Sequence, residues 1–292
     1  MARISREVLK NIISKNPTSK ELDFLIYIAQ FIGSDGVCRG IYYKDVMRGI
    51  NCCKQTFYSV KKSLQEKGII TIERESDIDY DITIINNPAE FRDKESYLYV
   101  RKGILHQPAF MELSAGAKMI ALDLIMICDT NKGKWKISKA NFKRRYVEQL
   151  SPEGEELFIL PFKIKARTAR DYLKELAELF YINHKDNNIS FRVKEYERSF
   201  DDKDIKLHQS DNDVWSRHFV RAIFKRLHFH FFTGKQERDI AGLLIQYFNR
   251  ARDVGKNICS LLQDAVIESL ALDGYKANAP SIHMRLKALL TG

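Results

Sequence analysis

A fifteen-residue pattern occurs twice in this chain, 112 positions apart and without a gap. Thr56-Phe57-Tyr58-Ser59-Val60-Lys61-Lys62-Ser63-Leu64 runs on through Gly68 to Ile70. Thr168-Ala169-Arg170-Asp171-Tyr172-Leu173-Lys174-Glu175-Leu176 runs on through Phe180 to Ile182. Apolar positions match apolar positions: Phe57 with Ala169, Val60 with Tyr172, Leu64 with Leu176 and Ile70 with Ile182. Steps of three and four residues put these side chains on one face of a helix, and an apolar strand-like step closes each copy. Two like modules in one polypeptide are the simplest consequence.

The surroundings of the two copies are similar. In the first, Ser19 is placed to cap a helix with the stripe Leu22, Leu25, Ile26, Ile28, Ala29 and Ile32, which Gly33-Ser34-Asp35-Gly36 stops. A short helix near Tyr43 to Gly49 and the turn Ile50-Asn51 precede the repeated helix, expected from about Cys53 to Lys67 with Cys53 on its buried face. Gly68 ends it in the left-handed conformation that glycine tolerates. Ile69 to Ile72 and Tyr80 to Ile85 then read as two strands around an acidic tip carrying Glu73, Glu75, Asp77, Asp79 and Asp81. In the second, Tyr97 to Val100 reads as a short strand, Leu113-Ser114-Ala115-Gly116-Ala117-Lys118 opens an apolar helix, and Lys134 to Ser138 is strand-like. Ser138 caps the next helix, and Ser151 to Pro161 is an insertion with no counterpart in the first copy. The repeated helix and a hairpin from Tyr181 to Val193 follow. Beyond about Asp211 strand alternation disappears, and four helices are expected: Val214 to Phe231, Gln236 to Arg252, Ile258 to Ala271 and Ser281 to Leu290.

A chain of 292 residues, 45% hydrophobic and 29% charged, is globular and long enough for two or three domains. The expected organisation is mostly α with small β-hairpins (α+β). Residues 1–88 and 97–199 form two winged-helix domains joined by a linker over 89–96, and 200–292 form an all-α helical domain. The formal charge of +10 points to a polyanionic partner. Residues 96–198 hold the largest excess, with 19 basic against 13 acidic side chains. No apolar run approaches the roughly 18 residues of a membrane span, and the first residues lack the apolar stretch of a secretion signal. The five cysteines show no metal-ligand spacing and read as free thiols of a cytoplasmic protein.

A helix followed by a hairpin, behind an anchoring helix, is how the reading half of a helix-turn-helix with a wing is written in sequence. Such a helix fits the major groove of B-DNA with its N-terminal side chains at base edges. In the first copy the groove-facing residues would be Lys54, Gln55, Tyr58, Lys61 and Lys62. In the second they would be Lys165, Arg167, Thr168, Arg170 and Lys174, with Lys163 beside the phosphates and the cluster Lys143-Arg144-Arg145 on the supporting helix. The competing reading is that these are solvated helix faces. The acidic tip of the first hairpin would repel phosphate, so the first module binds DNA without its wing or serves a protein contact instead.

Leu113-Ser114-x-x-Ala117-Lys118 before an apolar helix, then a helix-turn-helix and hairpin, resembles the winged-helix domain of replication initiators from Gram-positive plasmids. The tandem arrangement is similar to the wider class of plasmid initiators that bind repeated origin sites. The resemblance covers about the first two-thirds of the chain. It implies sequence-specific binding of double-stranded DNA, with no catalytic residue, no metal and no cofactor. A transcription regulator with a helical oligomerisation domain is the alternative, and a DNA-organising or segregation protein a third reading. A homo-oligomer or a protein partner, engaged through the C-terminal helices, is expected beside DNA. A linker of about ten residues spans some 30 Å when extended, which permits both modules to dock at once.

Leu227-His228-Phe229-His230-Phe231 holds the His-apolar-His triplet that binds metal in rolling-circle nucleases, where Tyr247 or Tyr275 would be the nucleophile. That chemistry needs both histidines on one face of a strand. Trp215, Phe219, Ile223, Leu227 and Phe231 instead recur every four residues, the spacing of a buried helical stripe, which sets the two histidines about 200° apart. No phosphate-binding glycine loop is present. Cys52-Cys53 at the start of the first repeated helix has a redox reading, against which stands burial of Cys53.

Overall fold

The structure, a computed structural model, describes residues 2–75, 78–89, 97–100, 104, 107–131, 133–150, 160–194, 203–229, 233–272 and 277–291. The fold is mostly helical with small antiparallel sheets. After β1 (Ala2–Ser5) and α1 (Arg6–Ser14), a first module is built from α2 (Ser19–Ile28), β2 (Val37–Tyr42), α3 (Tyr43–Gly49), α4 (Lys54–Glu66), β3 (Ile70–Glu75) and β4 (Asp79–Ile84). β5 (Tyr97–Val100) and the single turn α5 (Pro108–Met111) lead to a second module in the same order. Its elements are α6 (Ala115–Thr130), β6 (Lys134–Ser138), α7 (Lys139–Lys143), α8 (Ala166–Leu176), β7 (Phe180–Lys185) and β8 (Asn188–Val193). The sheets share one topology, β2-β4-β3 and β6-β8-β7, with the last strand in the middle.

α4 and α8 begin the same 112 positions apart as the sequence repeat. The strands do not keep that offset. β3 starts at Ile70 and β7 at Phe180, so the counterpart of Ile70 is Phe180 rather than Ile182. Both of these side chains are buried. α8 is two residues shorter than α4. A shift of two leaves the strand on the same face, which is why an ungapped match still paired apolar with apolar.

The helix starts follow capping chemistry. Thr18, not Ser19, caps α2, in a capping box with Glu21. The Ser19 hydroxyl is turned instead to the Leu113 carbonyl, 2.9 Å away. Ser138 caps α7, accepting from the Asn141 amide. Gly68 takes the left-handed φ of 59° that ends α4.

The two modules share one continuous core from Ile4 to Val193. β1 pairs with β5 over Ala2↔Val100 to Ser5↔Tyr97, which straps the N-terminal strand to the approach to the second module. Between the modules, the fully buried Lys118 of α6 is bonded to Asp23 of α2. Leu113-Ser114-x-x-Ala117-Lys118 is therefore a joint. Leu113 and Ala117 are core, Ser114 bonds Glu175 of α8, and Lys118 reaches the first module.

The C-terminal helices α9 (Lys203–Arg226), α10 (Gly234–Asp253), α11 (Ile258–Leu272) and α12 (Ala279–Thr291) enclose a second core. The expected four-residue stripe on α9 is only partly buried. Trp215 is exposed and stacks on Phe219, while Ser216, Val220, Ile223 and Phe224 face inward. α9 ends at Arg226, and His228 is exposed with a left-handed φ of 56°, so it lies past the helix and not at the helical spacing expected from sequence. His230, Phe231 and Tyr275 lie outside the described residues, as do Asp77 and most of the Ser151 to Pro161 insertion. Tyr247 is fully buried, its hydroxyl 2.9 Å from His283 Nδ1. Among the described residues no helix is long and apolar enough to cross a membrane.

These helices pack on the first sheet. On β4, Tyr80, Ile82 and Ile84 belong to the shared core, so Asp79, Asp81 and Thr83 alternate to the other face. Asp79 is bonded to Arg250 and lies 3.6 Å from Lys287 Nζ. Asp81 accepts from the Gly40 amide at 2.9 Å and lies 3.0 Å from His283 Nε2. The two carboxylates read from sequence as part of an acidic wing tip are thus buried seats for the C-terminal helices.

Candidate nucleic-acid interface

α8 is held by its apolar and acidic side. Ala169 and Leu176 are buried, Tyr172 packs where Gly116 leaves room, and Glu175 accepts from the Ser114 amide and hydroxyl at 2.8 and 3.0 Å. A Cβ at position 116 would lie 2.3 Å from the Tyr172 hydroxyl, so the glycine sets how closely α8 approaches α6. With that side fixed, Arg167, Arg170 and Lys174 point outward, at spacings of three and four that align them on one face. Thr168 is half-buried, and Lys163 and Lys165 are exposed on the lead-in. Lys174 pairs with Asp171 at 3.0 Å, but both are open to water, where such pairs contribute little.

The repeated helices begin differently from α1, α2 and α10. Those three are capped by Ser5, Thr18 and Thr233, and each has a glutamate in its first turn. α4 and α8, like α6, have neither a side-chain cap nor an acidic first-turn residue, and unlike α6 they add exposed cations there. They carry Lys54, and Lys165 with Arg167, where the helix dipole already presents positive charge. That arrangement costs helix stability and is relieved by an incoming anion, which the N-terminal amides of α8 would also bind.

The first copy is less open than expected. Lys54, Gln55 and Lys62 are exposed, with Lys54 near the Tyr43 and Tyr58 rings and Lys62 3.7 Å from Glu66. Tyr58 is half-buried against Phe57. Lys61 corrects the expectation. It is only 6% exposed, and its ammonium sits 4.1 Å from the Tyr80 ring centre, so it does not face a groove. Cys53 is also a correction, because it is exposed at the N-cap of α4 rather than in the buried face. The hydrogen bond with the Thr56 hydroxyl and nearby amides holds its thiol below the usual range.

No protein-family model, curated protein or solved structure matches this chain.

The Lys143-Arg144-Arg145 cluster is divided. Lys143 is exposed beside Glu148 at 2.8 Å, and Arg144 is half-buried. Arg145 is buried in a two-pronged pair with Asp123, both contacts 3.0 Å, and the Tyr146 hydroxyl donates to the same carboxylate at 2.6 Å. It anchors the supporting helix and is not a phosphate contact. The signal was present in sequence, because Asp123 inside the apolar run of α6 requires a buried cationic partner. The outward face of the second sheet, which no motif marks in sequence, sets Lys134, Arg192 and Tyr181 in one row across the strands, with Lys136 in the next row.

Proposed function

We propose that the chain is a sequence-specific double-stranded DNA-binding protein of tandem winged-helix build, and that α8 is its principal reading helix. The observation that carries this is the uncapped, acid-free N-terminus of α8 together with the aligned, exposed Arg167, Arg170 and Lys174. Arginine supplies paired donors to guanine, and Lys163 and Lys165 supply phosphate contacts. Lys54, Gln55 and Lys62 give α4 a smaller set for a second, weaker contact. The Leu113 to Lys118 segment and the helix-turn-helix behind it resemble plasmid replication initiators. That resemblance makes an origin repeat the favoured target, with a promoter as the alternative. Exposed Trp215, Phe248, Leu272 and Met284 give the C-terminal helices apolar surface for a second copy or a protein partner.

Selection of bound sequences from random duplex DNA tests the reading. An enriched motif, with Arg167→Ala and Arg170→Ala each weakening it by about 1–3 kcal/mol and relaxing one base position, is the expected result. Selection of no motif would overturn it, and so would an enriched motif whose binding neither variant disturbs.

A further inference from the structure

The two modules carry opposite charge on the same face of the same sheet. β3 begins opposite Ile84 and β7 opposite Val193, so Asp79, Asp81 and Thr83 of β4 correspond to Asn188, Ser190 and Arg192 of β8. In the first module this face is acidic and buried beneath Arg250, His283 and Lys287. In the second, the register places Lys134 and Tyr181 on either side of Arg192, and Lys136 and Asn183 on either side of Ser190. The outward positions of these strands hold no carboxylate. The apolar partners in the alternation, Ile137, Phe180, Ile189, Phe191 and Val193, belong to the core. Lys134, Lys136 and Lys194 in these positions would repel Arg250 and Lys287 rather than seat them, and their charge suits an anionic occupant.

The face is also shaped for more than charge. Tyr181 is 46% exposed, with the Arg192 guanidinium 5.0 Å and the Lys194 ammonium 5.5 Å from its ring centre. A shallow hollow of about 660 Å³ runs over the three strands, bounded by Lys134, Lys136, Tyr181, Asn183, Ser190 and Arg192. A ring set among cations on a sheet surface can stack a base while the cations hold its phosphates. Duplex DNA offers phosphates but keeps its base faces stacked.

We propose that the outer face of the β6-β8-β7 sheet binds single-stranded DNA, with Tyr181 stacking on a base and Lys134, Lys136, Arg192 and Lys194 contacting phosphates. The choice of DNA over RNA rests on the function proposed above; the site is separate from α8. The test is fluorescence anisotropy of the full chain with labelled (dT)20, (rU)20 and a duplex carrying the selected motif. Expected are binding of (dT)20 in preference to (rU)20 and a loss of about tenfold or more for Tyr181→Ala. Tyr181→Trp should retain affinity, and Arg192→Glu should weaken (dT)20 with a shallower salt dependence. Arg167→Ala should lower duplex binding while leaving (dT)20 untouched. Undetectable (dT)20 binding at low salt, or a Tyr181→Ala affinity within twofold of the parent, would overturn the proposal. Equal losses on duplex and single strand would overturn it too, by making the face a duplex phosphate contact, and a preference for (rU)20 would overturn the assignment to DNA.

Discussion

Cys53 stands where a cation-rich helix begins, and its chemistry differs from that of the other thiols. Burial pushes the Cys38 thiol well up, and the half-buried Cys52 and Cys259 are raised for the same reason. Cys53, exposed and lowered, should react first with a disulfide reagent near neutral pH. Cys53→Ser should abolish the fast phase of thiol titration; survival of that phase would move the reactive thiol elsewhere. A second residue-scale expectation concerns Gly40, whose φ is 63° and whose missing Cβ would lie 2.8 Å from the Tyr247 ring. Gly40→Ala forces a left-handed alanine, at about 1–2 kcal/mol, and a clash with the C-terminal helices in addition. Urea denaturation should show a loss larger than the backbone term alone, and in a double-mutant cycle with Tyr247→Leu the combined loss should be smaller than the sum of the two single losses.

At the scale of elements, the repeated helices, the hairpin of the second module and the left-handed stop at Gly68 were legible because each is specified locally. Periodicity fixed the buried faces of α4 and α8, and β5 and β6 were readable as apolar or alternating segments. β2 was not. Its register slips between Cys38 and Ile41, and a glycine in the left-handed region interrupts its alternation, so the segment lacks a strand signature. The roles of Lys61, Asp79 and Asp81 were unreadable for another reason. Sequence shows a charge but not its partner, and Asp79 meets Arg250 from 171 positions away. A charge expected in water therefore becomes a buried tie. The same applies to Lys118 and Asp23, where burial pushes the carboxyl up and the ammonium down. Removing Lys118 leaves the buried Asp23 with only the partly exposed Lys20, 3.6 Å away, so Lys118→Ala should destabilise the fold by up to about 3–5 kcal/mol in chemical denaturation, and Lys118→Met combined with Asp23→Leu much less. Equal losses in the two would mean that packing, rather than charge, sets the cost.

For the whole molecule, the C-terminal helices and the first sheet are linked by acid-dependent contacts. Burial alone would raise the Asp81 carboxyl, but the hydrogen bond and charge of His283, with the Gly40 amide and Lys287, bring it below its ordinary value. A carboxyl lowered in the folded state contributes stability that is complete above its unfolded pKa, about 3.9, and is lost as pH falls through the lower folded value. Stability should therefore drop on acidification below about pH 4, with amide exchange rising along β4 and α12 together. Asp81→Asn should reduce that slope. An unchanged slope would place the acid-sensitive contact elsewhere.

The shared core from Ile4 to Val193 has a further consequence for DNA. Modules on a tether can follow half-sites at many separations, whereas modules fused through Lys118, Asp23 and the β1–β5 pairing hold α4 and α8 at one angle and one distance. Where both helices engage one duplex, the protein behaves as a caliper. Five base pairs inserted between the half-sites turn the second one to the far side of the double helix, and about ten restore the facing but not the reach. Neither change can be absorbed by a joint that does not bend.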